Sequence, residues 1–238
     1  MTKCCIIYWG LLRGFKFDFV YESHREKIYN YLDENNIEYD IYIVTNNIGY
    51  DDTQVKKMNN VKKIEILNIE DINKTDLYKN LIKNFNFHSH FHDESKMNLG
   101  YCFYNRKYIM NDIPDDYEFY ISLDIQHFIE KFDFLHLCKF KPTSSQKDEI
   151  TEGMNMENIS ILSNYHKQLG VNPRVFIGNY NNTKIYNSII DYALLGSYSH
   201  NPESLLKQYL EVNNINLIET NDILIHRVRE CGTILKDN

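Results

Sequence analysis

The hydrophobic positions of the first seventy residues fall into short continuous runs separated by one helical stripe. The runs "CCIIYWG", "EYDIYIVTNN" and "VKKIEILN" are typical of strands buried in a parallel sheet. Between the first two runs, "ESHREKIYNYLDENN" places Ile28, Tyr31 and Leu32 at helical spacing and ends in two asparagines. This β-α-β-loop-β order predicts a doubly wound α/β sheet.

The rest of the chain continues the pattern of helices and strands. Apolar stripes predict helices over residues 69–85 and 97–113, and a third in "NPESLLKQYLEVNN", where Pro202 suits the first helical position. Strands are predicted at "YEFYISLD", "NISILSN", "DYALLGS", "INLIET" and "DILIHRVRE". Residues 141–158 lack an apolar period and are predicted to form a mobile loop that closes over a ligand. Because no repeat or linker is found, residues 1–238 are expected to form a single domain.

Composition and charge exclude several classes of protein. The chain has 238 residues and a formal net charge of −7, with only short basic runs, so we do not expect a nucleic-acid binder. No apolar run approaches the length of a membrane span, and no signal peptide is recognised. Five cysteines without a CxxC pair indicate reduced thiols. We therefore expect a soluble, cytoplasmic protein.

Polar side chains follow three of the predicted strands, at the edge where doubly wound sheets bind their ligands. Gly10 lets the backbone approach a ligand, and the guanidinium of Arg13 can fork onto a diphosphate. Thr45 and Asn46 offer hydroxyl and amide groups to a base or ribose. Asp124 ends its strand with a carboxylate, which suits Mg²⁺ or Mn²⁺. Each residue also has a plain alternative: a solvated arginine, a conformational asparagine turn, or a turn-starting or capping aspartate.

Taken together, these residues resemble the GT-A glycosyltransferases. The resemblance rests on "GLLR" after the first strand, on the asparagines after the second, and on the apolar strand that ends in Asp124. It extends into "SIIDYALLGSYSHNPESLLKQYLEVNNINLIETNDILIHRVR", which is similar to a D-x-x-x-x-G-S … P-E-x-x-L segment of small glycosyltransferase-like proteins, including those of giant viruses. It covers most of the chain, most weakly at residues 50–95 and 140–180. It implies a single GT-A-like, Rossmann-like domain with a mostly parallel central sheet flanked by helices.

The resemblance implies an enzyme of the hexosyltransferase type. Such an enzyme moves a sugar from a nucleotide-diphosphate sugar, expected to be a UDP-sugar, to the hydroxyl of a glycan or protein acceptor. If the protein is viral, it would act in the host cytoplasm. The implied donor site consists of Gly10, Arg13, Thr45, Asn46 and Arg106, with the first two at the diphosphate and the next two near the base and ribose.

Two further carboxylates are implied on the acceptor and sugar side of the site, Asp191 and Glu203. In an inverting enzyme a carboxylate takes the proton of the acceptor hydroxyl, and Asp191 is the first candidate for this role. The plain alternative for Asp191 is a capping residue before "YALLGS".

One departure from the family pattern concerns the metal. The family motif has two acidic residues, whereas this chain reads Asp124-Ile125-Gln126. The resemblance implies Mn²⁺ or Mg²⁺ at Asp124 and Gln126, held together with the diphosphate and water and with His127 as a further candidate. The alternative is that dependence on the metal is reduced.

Other chemistries stay open beside the glycosyltransferase hypothesis. The same fold could serve as a non-catalytic nucleotide- or sugar-binding module, or as a nucleotidyltransferase that uses the same crevice and metal. The alternating His88, His90 and His92 could bind Zn²⁺ or belong to a polar loop. A nucleophile at Ser145, Ser163 or Cys102 has little support, because no G-x-S-x-G turn or matching base is found.

Overall fold

The computed structural model describes residues 2–85, 93–135, 160–163, 173–195 and 202–236. Strands in these ranges are β1 (Lys3–Trp9), β2 (Glu38–Asn46), β3 (Val61–Leu67), β4 (Phe119–Asp124), β5 (His127–Phe132), β6 (Ser160–Ser163), β7 (Val175–Gly178), β8 (Leu217–Thr220), β9 (Ile223–Val228) and β10 (Ile234–Leu235). The α-helices are α1 (Asp18–His24), α2 (Asn30–Glu34), α3 (Ile69–Lys74), α4 (Asp76–Asn84), α5 (Asp93–Ile109), α6 (Tyr180–Asn187), α7 (Ile189–Ala193) and α8 (Pro202–Val212). A π-helical stretch, Arg25–Tyr29, joins α1 to α2, and a short 3₁₀ helix covers Val55–Lys57.

The main sheet has seven strands in the order β3-β2-β1-β4-β7-β6-β8. Strands β3, β2, β1 and β4 run parallel to one another, and β6 runs parallel to β8. Strand β7 is antiparallel to both of its neighbours, β4 and β6. The predicted α/β fold with a mostly parallel central sheet flanked by helices is therefore confirmed.

Successive residues of β1 point to opposite sides of the sheet, and both sides are covered by helices. Cys4, Ile6 and Tyr8 pack into one core cluster together with residues from the first helical segment. Cys5, Ile7 and Trp9 pack into another, which includes Ile109 and Met110 at the end of α5. A strand that is buried on both faces needs a continuous apolar run, which is what "CCIIYW" supplies.

A second, smaller sheet lies beside the carboxyl end of β4. Its strands are antiparallel and follow the order β10-β9-β5. The chain leaves the main sheet at Asp124 and enters the small sheet at His127, so a turn of two residues joins the two sheets. The position where the sequence predicted a ligand is therefore also the junction of the two sheets.

Some of the predicted elements differ from those in the structure. "DYALLGS" was expected to be a strand, and this is wrong, because Ile189, Ile190 and Ala193 form the buried face of helix α7. The predicted helix at 69–85 is two helices, since Thr75 ends α3 and its hydroxyl accepts a hydrogen bond from the backbone N–H of Tyr78 to cap α4.

Five elements had not been predicted at all: β5, β7, β10, α6 and the 3₁₀ helix Val55–Lys57. The loop predicted at 141–158 and the three histidines at 88, 90 and 92 lie outside the described residues. No helix in the described ranges is long and apolar enough to cross a membrane.

Candidate functional site

A cleft of about 430 Å³ opens at the carboxyl ends of β1 and β4. Its walls come from α5, from the small sheet and from the start of α8. A hollow of similar volume, about 450 Å³, lies at the opposite ends of the strands, around Lys3 and Asp40. There the carboxylate of Asp40 already pairs with Lys3 and Lys62. Because parallel sheets bind ligands at their carboxyl edge, the first cleft is the candidate site.

Two glycines let the loop after β1 lie directly against the end of β4. Trp9 is in register with Asp124, and Gly10 follows it at a φ of 107°. A Cβ at Gly10 would lie 2.5 Å from Oδ1 of Asp124, and a Cβ at Gly14 would lie 2.8 Å from the carbonyl oxygen of Gln126. Only glycine permits both this backbone conformation and this approach. The β1 loop and the turn at Asp124 therefore form one packed unit.

The carboxylate of Asp124 is buried, with 6% of the residue exposed, and its oxygens are engaged by Gln126. Oδ1 accepts a hydrogen bond of 3.3 Å from the backbone N–H of Gln126, and Oδ2 accepts one of 3.1 Å from its amide Nε2. Burial raises the pKa of Asp124, but His127 and these hydrogen bonds outweigh it and leave the pKa below its ordinary value. The group is therefore an anion at neutral pH.

His127 places a buried imidazole beside this carboxylate. Nδ1 lies 3.4 Å from Oδ2 of Asp124, yet neither ring nitrogen has a hydrogen-bond partner among the described residues. Burial lowers the pKa of His127, Asp124 opposes this, and the charges of Arg174 and Arg227 lower it further. The net direction is downward, so the ring is neutral at neutral pH and lines the cleft with polar nitrogens.

A buried hydrogen-bond chain holds the start of β5 in place. His24 is fully buried, and its Nε2 donates to the carbonyl oxygen of His127 at 2.7 Å. Its Nδ1 then accepts from the hydroxyl of Tyr8 at 2.9 Å, and this hydroxyl also contacts that of Tyr29 at 3.0 Å. Burial lowers the pKa of His24 to about 4, so the neutral ring that this arrangement requires is the one present.

Arginine is concentrated in the cleft. The chain contains six arginines, and five of them line this cleft, whereas none of the described lysines does. Three of the five, Arg13, Arg227 and Arg229, have guanidinium groups without an ion-pair or hydrogen-bond partner among the described residues. The sixth, Arg25, pairs with Glu22 on the protein surface. With five arginines and three carboxylates in its lining, the cleft carries a net positive charge, although the chain as a whole is acidic.

Arg106 is anchored more firmly than the other arginines. It is 1% exposed, and Nη2 donates to the carbonyl oxygen of Tyr186 at 2.6 Å. Its guanidinium also lies over the rings of Tyr186 and Trp9, at 3.9 Å and 4.9 Å from their centroids. Trp9 in turn donates from Nε1 to the hydroxyl of Ser122 at 3.2 Å. This group therefore supports the floor of the cleft and adds positive charge to it.

The structure brings most of the predicted site residues together. Lining the cleft are Arg13, Arg106, Asp124, Gln126 and Glu203, and Gly10 packs against Asp124. Glu203 lies in the first turn of α8, immediately after Pro202, which begins the helix as predicted.

Besides Gly10, three of the predicted residues lie outside the lining of the cleft. Thr45 and Asn46 are buried at the end of β2; Oδ1 of Asn46 accepts from the backbone N–H of Ile48, and its Nδ2 has no partner among the described residues. Asp191 is exposed on α7 and forms an ion pair with Lys107. The roles predicted for these three residues stay predictions.

Several residues of the site were not predicted from the sequence: Gly14, Arg174, Arg227, Arg229 and Glu230. The stretch "HRVRE" could have indicated Arg227 and Arg229, because two arginines separated by one residue lie on the same face of an extended segment. No comparable sequence pattern indicates Arg174. It reaches the site because its carbonyl oxygen accepts from the backbone N–H of Asp124 at 2.9 Å.

The donors for a divalent ion are few. Among the described residues, no group of three or more His, Cys, Asp or Glu side chains is placed to hold a metal. Both oxygens of Asp124 already accept from Gln126, whose amide therefore presents nitrogen, not oxygen, to the carboxylate. As arranged, these side chains do not fit a protein-held divalent ion. The Mn²⁺ or Mg²⁺ implied by the resemblance stays a prediction and is taken up below.

No family model matches the chain, and no curated protein matches it. Solved structures do match, including mouse xyloside xylosyltransferase 1 in its apo form, with a TM-score of 0.46, 8% identity and coverage of 92% of this chain and 84% of that chain. A glycosyltransferase involved in glycosylation of the major capsid of PBCV-1 matches with a TM-score of 0.41, 10% identity and coverage of 92% and 81%. A putative nucleotide-diphospho-sugar transferase from Desulfovibrio desulfuricans G20 matches with a TM-score of 0.40, 8% identity and coverage of 92% and 80%.

Fold and site define this chain as an α/β protein with an arginine-lined cleft at the carboxyl edge of its sheet. The matching structures are described as glycosyltransferases or nucleotide-sugar transferases, the class that the sequence resembles. Each TM-score is below 0.5, so the function of the chain has to follow from the cleft itself.

Proposed function

We propose that the protein is a glycosyltransferase that binds a nucleotide-diphosphate sugar in the arginine-lined cleft and transfers the sugar to an acceptor hydroxyl. The observation that carries the proposal is the concentration of five of the six arginines at the carboxyl edge of a mostly parallel sheet. Ligands of such sheets bind at this edge, and guanidinium groups suit phosphate oxygens because they can bind them in bidentate fashion. The GT-A resemblance of the sequence supports the same assignment.

The size and charge of the cleft suit a donor of this kind. Its volume of about 430 Å³ lies within the usual range for small-molecule sites. The leaving diphosphate gains negative charge as the bond between the sugar and its phosphate breaks. Arg13, Arg227 and Arg229 are placed to stabilise that charge. We expect a UDP-sugar as the donor.

In an inverting enzyme a carboxylate takes the proton of the acceptor hydroxyl, and we assign this role to Glu203. Glu203 lines the cleft, whereas Asp191 lies outside the lining and pairs with Lys107. In the proposed step, the acceptor oxygen forms a bond to the sugar carbon while its proton passes to the carboxylate. The bond from that carbon to the phosphate oxygen breaks, and the diphosphate leaves with the electron pair.

The test begins with ligand binding, measured by thermal shift with nucleoside diphosphates and nucleotide sugars. A ligand at one hundred times its dissociation constant should stabilise the folded protein by about 2.7 kcal/mol. The products are then identified after incubation with acceptor mixtures. Release of the nucleoside diphosphate supports glycosyl transfer, whereas release of pyrophosphate would show a nucleotidyltransferase. Binding without release of either product would show a non-catalytic module.

A further inference from the structure

We propose that arginine side chains, and not a protein-held divalent ion, neutralise the diphosphate in this cleft, so that nucleotide binding does not require Mn²⁺ or Mg²⁺. The inference rests on the proposed function and deepens it. Three observations carry it: the hydrogen bonds of Asp124, the arginines without partners, and the way the strands bring these groups together.

The only carboxylate of the degenerate motif is already engaged. Oδ1 and Oδ2 of Asp124 accept from the backbone and the amide of Gln126, at 3.3 Å and 3.1 Å. A Cβ at Gly10 would lie 2.5 Å from Oδ1, so this side of the carboxylate is closely packed as well. A metal ion would have to share this carboxylate with both donors of Gln126, and Gln126 brings no second negative charge to hold the ion. In this arrangement Asp124 fixes the turn and balances the arginines around it.

The arginines offer the charge that a metal would otherwise supply. Arg13, Arg227 and Arg229 line the cleft and have no ion-pair or hydrogen-bond partner among the described residues. A guanidinium is charged at any physiological pH and can donate two parallel hydrogen bonds to phosphate oxygens. Lysine would be the expected residue for a nonspecific positive patch, yet none of the described lysines lines the cleft.

Strand pairing places these groups close together. Arg227 on β9 is in register with His127 on β5, and His127 follows Asp124 by three residues in the sequence. Arg13 belongs to the β1 loop that packs on the same turn through Gly10 and Gly14. Cys102 on α5 lines the same cleft as Asp124, Arg13 and Arg227. Residues that are far apart in the chain therefore line one cleft.

The experiment measures the affinity of UDP by calorimetry, in buffer with EDTA and in buffer with Mn²⁺ at equal ionic strength. We expect the two dissociation constants to agree within about threefold, less than the tenfold change that a contribution of 1.4 kcal/mol would make. Arg13→Gln and Arg227→Gln should each weaken binding about tenfold or more in both buffers, because each removes charge-assisted hydrogen bonds. Arg227→Lys should weaken it too, since an ammonium cannot bind in bidentate fashion.

Arg25→Gln is the matched control, because Arg25 pairs with Glu22 on the surface, and it should bind UDP like the wild type. Thermal unfolding of each variant shows that the loss of affinity is not a loss of folding. Binding that needs Mn²⁺ would overturn this inference and leave the proposed function intact. Unchanged affinity in both Arg13→Gln and Arg227→Gln would also overturn it. No binding of UDP or any nucleotide sugar in either buffer would overturn both proposals.

Discussion

The α-carbon of Gly10 lies against the carboxylate of Asp124, so close that a Cβ there would be 2.5 Å from Oδ1. Gly10 directly follows β1, Asp124 ends the neighbouring parallel strand β4, and the φ of 107° at Gly10 turns the chain across the edge of the sheet. This contact joins the loop that carries Arg13 to the turn that carries Gln126. The geometry of the site therefore depends on a glycine that has no chemistry of its own.

Gly10→Ala should disturb both stability and activity. The backbone conformation and the clash with Asp124 together should cost about 2 kcal/mol or more of unfolding free energy. Transfer should slow about a hundredfold, because the groups that meet the donor are displaced. Gly49→Ala is the control: its φ is 57° and the nearest atom to its Cβ, on Arg13, is 3.8 Å away, so it should cost only about 1 kcal/mol. Urea unfolding and initial rates check both, and equal effects would contradict the role given to the contact.

Gln126→Asp should create a dependence on metal that the wild type lacks. The change removes the amide that donates to Asp124 and supplies the second carboxylate of the two-acid motif. UDP should then bind more tightly in Mn²⁺ than in EDTA, by about tenfold or more, since the ion can bridge carboxylates and phosphates. Gln126→Asn, which adds no charge, should show no such difference. Calorimetric titration in the two buffers measures it, and identical affinities for Gln126→Asp would show that residue 126 does not face the diphosphate.

Glu203→Gln should lower the transfer rate about 10²- to 10⁴-fold and leave the affinity for UDP unchanged, because an amide cannot take the acceptor proton. Asp191→Asn tests the other carboxylate predicted from the sequence. Since Asp191 is exposed and pairs with Lys107 outside the lining of the cleft, its loss should change the rate little. Steady-state kinetics with a fixed acceptor compare the two variants. The opposite result would move the catalytic base to Asp191.

The cysteines should differ sharply in reactivity. Burial, together with the negative charge of Asp124, raises the pKa of Cys102 to about 12, so its thiolate is scarce at neutral pH. Cys231 is exposed, and hydrogen bonds from Thr233 lower its pKa. An alkylating reagent at pH 7 should therefore label Cys231 quickly and Cys102 only after unfolding. Peptide mass analysis in a Cys138→Ser background measures this, with Cys231→Ser as the control, and rapid labelling of Cys102 would revive it as a candidate nucleophile.

The strands of the first half of the chain follow from local sequence. A short β-branched and aromatic run such as "CCIIYW" is typical of a central parallel strand buried on both faces, and the prediction for β1, β2, β3 and β4 is confirmed. Helix α7 was predicted wrongly because a short apolar run such as "DYALL" fits a strand or a helix equally well. Packing of α7 against α8 in one core cluster favours the helix, and this long-range contact cannot be predicted from the local sequence pattern.

The residues of the site also fall into two groups: those that the sequence predicts and those that only the tertiary structure brings together. From the sequence alone came Gly10, Arg13 and Asp124, because a polar group at the end of an apolar strand already indicates the carboxyl edge of the sheet. The tertiary structure decided that Arg174 and Arg227 join them, since one meets Asp124 through β4 and the other faces His127 across the small sheet. The hydrogen bond from Gln126 to Asp124 also depends on the tertiary structure. It forms because the two-residue turn after β4 packs against Gly10 and Gly14. Pairing between distant strands costs chain entropy that only the whole core offsets, so local residue patterns do not encode it.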